Sequence, residues 1–190
     1  MRERKSYASF LYAAGRLKKV KRTGWIVRHL PDESVADHTF RTALLAMLLS
    51  DLIDSAIDKE RVLRMALIHD LAECYVGDWD LETTNTIGKE VKKRVEETAI
   101  KKVLSFLPAQ IASRYYHTWK EFEENSSKEA KIVHLADKLE AVMQAFELSK
   151  FGYSKSVKRE FERNLESLEL TQELKALLQV FMEEIKRWEK

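Results

Sequence analysis

The chain has 190 residues, 45% of them apolar and 34% charged, with only five Gly and two Pro. That length fits one domain or two small ones, and so few turn formers nearly exclude an all-β sandwich or barrel in favour of helices. Thirty-three Lys plus Arg balance 31 Asp plus Glu to a formal net charge of +2, which makes no electrostatic case for nucleic acid or an acidic membrane as partner.

The N-terminus is basic (Arg2, Arg4, Lys5) but lacks an apolar signal core. A transit peptide is one reading of it; a first helix is the better one, because Tyr7, Phe10, Leu11, Ala14 and Leu17 fall on one helical face. That helix should fade between Gly15 and Lys19, followed by a loop carrying Arg22, Trp25 and Pro31. Ser34 reads as an N-cap with Asp37 as its capping-box partner, opening a helix to about Leu52 that carries His38, Phe40, Leu44 and Met47. Its apolar run from Thr42 to Ser50 is closed by Arg41 and Asp51, far short of the roughly 20 residues that span a bilayer. Asp58 caps a further helix from Lys59 to Tyr75, stopped by Gly77.

A loop rich in Asp and Thr is expected from Asp78 to Thr86, then a charged helix from Lys89 to Phe106 with Val91, Val95, Ala99 and Val103 or Phe106 as its buried stripe. Lys89, Lys92, Lys93 and Arg94 are interleaved with Glu90, Glu96 and Glu97, which reads as a solvated, ion-paired face. Pro108 suits the start of a helix to Glu123. After Asn125–Ser127 a strongly apolar helix runs from Lys128 to Lys150 and stops at Gly152; the C-terminal part is an amphipathic helix through Leu174, Phe181 and Ile185. The single cysteine, Cys74, cannot form an internal disulfide, and a buried, inert thiol in a reducing, cytoplasmic setting is expected.

His69 and Asp70 sit together inside the apolar stretch Val62–Ala72. A charged Asp there is costly to bury without a partner, and a metal ion is one such partner. His38 and Asp137 lie on two other apolar helices. Two imidazoles and two carboxylates form a donor set suited to Mn, Co, Fe, Ni or Zn rather than Ca. Taken singly, each is more often a hydrogen-bonded core histidine, or an aspartate that pairs with Arg or Lys or caps a neighbouring helix.

The order His38, His69–Asp70, Asp137 resembles the HD-domain superfamily of metal-dependent phosphohydrolases, and the blocks Arg22–Arg28, Glu33–His38, Ala66–Glu73, Val76–Asp78 and Ser126–Asp137 resemble its 5′-deoxynucleotidase branch. The resemblance spans about residues 5–150. It implies an all-α, phosphodiesterase-like helical bundle with the metal site at its centre. A single HD-type domain over 1–190 is expected, with the motif-bearing core at about 20–150 and C-terminal helices at 153–190. It also implies His38, His69, Asp70 and Asp137 as metal ligands and Glu73 as the catalytic acid near the attacking water. Arg22, Trp25 and Asp78 become substrate contacts, the substrate a nucleotide, and the protein a homodimer. The cofactor would be a divalent metal such as Mn or Co, with Mg, Fe, Ni and Zn as alternatives.

Spacing adds to the case for Glu73. Helix residues turn by about 100° each, so on a continuous helix Glu73 lies roughly 40° from His69 and about 60° from Asp70, facing the same side. Arg22 suits a phosphate because guanidinium binds it through two parallel hydrogen bonds; an ordinary surface arginine is the bland alternative. Trp25 is either a wall against sugar or base, or a plug over the core. Two rival functions share the fold class: hydrolysis of another nucleotide (cyclic, triphosphate or alarmone), and non-catalytic nucleotide sensing.

Overall fold

The structure is a computed structural model that describes residues 6–53, 56–153 and 156–189. The basic N-terminal residues Arg2, Arg4 and Lys5 lie outside them. The helices are α1 (Tyr7–Gly15), α2 (Thr23–Ile26), α3 (Val35–Asp51), α4 (Lys59–Ile68), α5 (Glu73–Val76), α6 (Leu81–Ile87), α7 (Lys89–Leu104), α8 (Ala109–Glu123), α9 (Lys128–Lys150), α10 (Ser156–Glu166) and α11 (Gln172–Glu189). The class is therefore all-α; the extended pairing seen among the described residues is an isolated antiparallel bridge, Lys21 to Ser34. The chain divides into two compact units, each built from separate segments: Met1–Asp37 with Leu67–Glu123, and His38–Ala66 with Glu124–Lys190.

In the first unit, α5 and α1 both pack on α7, and α7 on α8. The core joins Ala13, Leu17, Val35, Leu71, Cys74, Ala99, Ile100, Val103, Leu104 and Trp119. The inner side of α1 is thus Phe10, Ala13, Ala14 and Leu17, whereas Tyr7 and Leu11, expected on it, are exposed. On α7 the buried stripe begins at Ala99, and Val91 is exposed.

The capping box at the start of α3 forms as expected. The Asp37 amide donates to Ser34 Oγ at 3.1 Å, and Asp37 Oδ2 accepts from the Ser34 amide at 3.0 Å. Each bond satisfies a donor that the first turn leaves open.

Three local expectations are corrected. The helix expected to run from Lys59 to Tyr75 breaks after Ile68. Its amides shift to carbonyls three residues back, Leu71 to Ile68 at 3.1 Å, Glu73 to Asp70 at 3.0 Å and Tyr75 to Ala72 at 3.1 Å. Bonding of that kind has three residues per turn, so Glu73 comes directly over Asp70 instead of about 60° away. The Asp- and Thr-rich segment expected as loop holds α6. Asp80 caps it by accepting from the Thr83 amide at 2.9 Å, and the Thr84 and Thr86 hydroxyls donate to carbonyls four residues back. The Arg22–Pro31 loop contains α2, whose first amide, Thr23, donates to Asp78 Oδ2 at 2.6 Å. That cap comes from 55 residues away, so no neighbouring residue announces it.

In the second unit α9 is buried on most sides, through Ile132, Val133, Leu135, Ala136, Leu139, Val142, Ala145 and Phe146. Helices α10 and α11 pack against it, burying Val157, Leu165, Leu174 and Ile185. Ser127 caps α9 by accepting from the Ala130 amide at 3.0 Å, and Gly152, at φ 93°, turns the chain out of the helix where an L side chain would be strained. On α3, Ala43, Leu45, Ala46 and Leu49 are buried, while Phe40, Leu44, Met47 and Leu48, with Leu52 just past its end, form an exposed apolar stripe.

Candidate metal centre and active site

Each unit presents one imidazole paired with one aspartate. In the first, the break after Ile68 sets His69 Nε2 3.1 Å from Asp70 Oδ2, with His69 buried and its ring edge-on to Phe122. In the second, His38 is fully buried on α3, and its Nε2 lies 3.1 Å from Asp137 Oδ1 on α9. Both pairs have the bite of two ligands on one ion. With metal–donor distances near 2.1 Å, neighbouring donors on a four- to six-coordinate ion lie roughly 3.0–3.4 Å apart. The residues therefore fit a divalent metal, in donor type and in the geometry within each pair.

Around the first pair stand the other residues singled out from the sequence. Glu73 is buried, and its Oε2 has no hydrogen-bond partner among the described residues. Burial, with the charges of Asp70 and Asp78, pushes its carboxyl well above the usual carboxylate range, against the pull of Arg22 and Lys92. A buried carboxyl with one oxygen unpartnered can hold or pass on a proton. Arg22 NH1 lies 3.7 Å from Asp70 Oδ2 and 3.6 Å from Asp78 Oδ1, too far for strong hydrogen bonds and close enough to be held by their charge. Asp78 is tied down on a second side by Thr23, whose amide and hydroxyl both donate to it. Trp25 is 2% exposed, and its indole Nε1–H donates to Glu33 Oε2 at 3.0 Å. It occupies the position of a core plug with its polar handle already engaged.

The sequence reading missed several groups. Lys92 and Glu96, taken there as part of a solvated face, are half-buried and ion-paired at 3.5 Å. Their charges bear on Asp70 and Asp78, and that of Lys92 also on Glu73. A signal existed: Lys92 lies roughly 20° from Val103 around α7, on the buried stripe. Glu123, at the end of α8, is pushed up to about 7 by burial and Glu96, against the charge of Lys92. Cys74 is buried and pushed up to about 11 by that burial, which bears out the inert reading. His29 and His117 are exposed, as expected, and His134 is half-buried.

In the second unit two further residues surround His38. Glu140, fully buried on α9, accepts a short hydrogen bond from His38 Nδ1. Arg41 reaches Glu140 Oε1 with Nε at 2.8 Å, Glu147 at 2.7 Å and Gln144 at 2.7 Å. Burial alone would push the Glu140 carboxyl up; the hydrogen bond from His38 and the charge of Arg41 outweigh it and hold the group below the usual range.

An all-α chain with paired His and Asp on its helices defines the class, and comparison with known proteins places it. Residues 14–184 match the HD domain family model. Human 5′-deoxynucleotidase HDDC2 is 42% identical over 144 residues, 75% of this chain and 68% of the human one. The fission yeast 5′-deoxynucleotidase hdd1 is 37% identical over 75% of this chain and 72% of its own. Among solved structures, a conserved protein from Pyrococcus furiosus superposes with a TM-score of 0.78 at 32% identity, covering 95% of this chain and 99% of that one. The chain belongs to the HD-domain family, within its 5′-deoxynucleotidase branch.

Proposed function

We propose that the protein is a metal-dependent 5′-deoxynucleotidase, cleaving deoxyribonucleoside 5′-monophosphates to deoxyribonucleoside and phosphate as one HD-type domain. The observation that carries this reading is the pair of matched His–Asp bites in a chain of this branch. His38, His69, Asp70 and Asp137 would hold one divalent ion, for which the resemblance favours Mn or Co, with Mg, Fe, Ni and Zn as alternatives that the mixed nitrogen and oxygen donors also suit. When bound, such an ion acidifies water and neutralises phosphoryl charge.

The chain's own residues supply the rest. Glu73, buried and with one oxygen unpartnered, orients the attacking water and takes its proton. Two aspartates roughly neutralise a divalent ion, so a dianionic phosphate needs a further cation. Arg22, beside Asp70 and Asp78, is the cation that would take two phosphate oxygens through parallel bonds. Asp78 bears on the sugar from the loop that also caps α2, and Trp25, buried with its N–H held by Glu33, serves the substrate by bracing α2 from the core side.

The substrate is a small nucleotide. Nucleic acid and membrane are not expected as partners, in keeping with the near-zero net charge and with no described helix long and apolar enough to cross a membrane. A cytoplasmic homodimer is the reading of choice, supported by the free Cys74 and by the exposed apolar stripe of α3, larger than isolated surface residues require.

A substrate panel tests the specificity. Deoxyribonucleoside 5′-monophosphates should release phosphate faster than ribonucleotides, and 3′-monophosphates slowly. Equal rates on all three reject the sugar-reading role of Asp78, and pyrophosphate or triphosphate release from nucleoside triphosphates moves the protein to another HD-type specificity.

A further inference from the structure

The buried acid on α9 that the active-site reading leaves unused is Glu140. It is fully buried, it is not in the ligand set, and it takes the hydrogen bond of His38 Nδ1. Neutral imidazole has one N–H and one lone pair, and the group that engages one nitrogen decides what the other offers. With Nδ1–H donating to a carboxylate, the proton is fixed on Nδ1 and the lone pair on Nε2, the atom 3.1 Å from Asp137 Oδ1.

We propose that Glu140 and Arg41 are positioning residues that hold His38 in the Nδ1–H tautomer, with its Nε2 lone pair preset toward the metal position. This rests on the reading of His38 as a metal ligand. The arrangement is built from two (i, i+3) pairs on facing helices, His38 with Arg41 on α3 and Asp137 with Glu140 on α9. One turn of α9 thus supplies both the carboxylate that shares the ion and the carboxylate that orients the imidazole. Arg41 fixes Glu140 Oε1, through Nε at 2.8 Å, and is itself splayed across Gln144 and Glu147 a turn or two further along α9. The guanidinium therefore has no freedom to pull the carboxylate off the ring, and Glu140 stays ionised in a place where an unpaired carboxylate would be costly. The Nδ1 hydrogen bond of the His38 ring is thus settled before any ion arrives, and an ion entering has no ring flip to drive. Thr42 Oγ1, 3.4 Å from His38 Nε2, is too distant to compete strongly for the lone pair.

The test has two readouts, one of which involves neither metal nor turnover. Protein labelled with ¹⁵N in its histidines is stripped of metal, and long-range ¹H–¹⁵N correlation reports the tautomer of each ring, with the His38 signal assigned by its loss in His38→Gln. The wild-type protein should show His38 protonated at Nδ1, whatever proton Nε2 shares with Asp137 while no ion is bound; a His38 with Nδ1 unprotonated overturns the proposal without any variant. Cobalt titration of the stripped protein supplies the second readout. Glu140→Gln should bind cobalt roughly 10–100-fold more weakly, as loss of a carboxylate behind a ligating histidine does. Arg41→Met should weaken it less, and Glu140→Asp should recover part of the loss. Glu140→Gln binding cobalt as tightly as wild type, with its fold intact by circular dichroism, also overturns the proposal. Wild-type protein that binds no cobalt instead overturns the metal reading on which it rests. Should Glu140→Gln fail to fold, the wild-type tautomer and the Arg41→Met titration still decide.

Discussion

His69→Ala and Asp137→Ala should each lose the metal and the activity together. Each removes half of a two-donor bite: His69 Nε2 sits 3.1 Å from Asp70 Oδ2, and Asp137 Oδ1 3.1 Å from His38 Nε2. Losing a group that merely supports a ligand costs up to about a hundredfold in metal affinity, so loss of a ligand should exceed that. The two variants also probe different units of the chain, one at the break after α4 and one on α9. A shared defect in metal content would tie residues 68 positions apart in sequence to one ion. The check is metal analysis of each purified variant beside its rate of phosphate release, with thermal unfolding to confirm folding. A variant that keeps stoichiometric metal and wild-type turnover removes that residue from the site.

Glu73→Gln should behave differently, keeping metal and fold while turnover falls by roughly a hundredfold or more, the range for loss of a general acid or base. Gln preserves the size of the side chain and its ability to accept a hydrogen bond, and removes the capacity to take a proton. The structure sharpens this expectation. Because Glu73 stands over Asp70 on a tightened turn, it shares the burial and the charge of that site. Burial, with the charges of Asp70 and Asp78, pushes its carboxyl up, the direction that favours holding a proton within the site. Full turnover in Glu73→Gln would show that the proton goes elsewhere, with Glu123 the next acid to examine, since burial and Glu96 raise it to about 7. Loss of metal from Glu73→Gln would make Glu73 a ligand and change the four-donor count.

The helices were legible where periodicity and caps are local. The Ser34–Asp37 box, the extent of α9 and its stop at Gly152 are all written in neighbouring residues. What escaped has its cause elsewhere in the chain. Helix α2 is capped by Asp78, and the break after Ile68 has no Gly or Pro to mark it. The exposed faces also misled: Tyr7 and Leu11, placed on the inner face of the first helix, lie open. At the site, a charged residue in an apolar run drew attention to Asp70, and the same argument applied to Glu140, flanked by Leu139 and Ala141, would have found it. Arg41 and Lys92 carried less signal, because long cationic side chains are at home on either side of a helix and their partners decide which.

The central claim is that the four donors hold an ion on which cleavage of deoxyribonucleoside 5′-monophosphates depends. The direct measurement is phosphate release by chelator-stripped protein, before and after refilling with Mn, Co, Mg or Zn, with bound metal counted in the same samples. The account predicts no turnover in stripped protein, and recovery that rises with occupancy to a plateau at the occupancy the four donors allow, about one ion per chain. Undiminished turnover in protein shown to be free of metal, or none under any metal that binds, would contradict it.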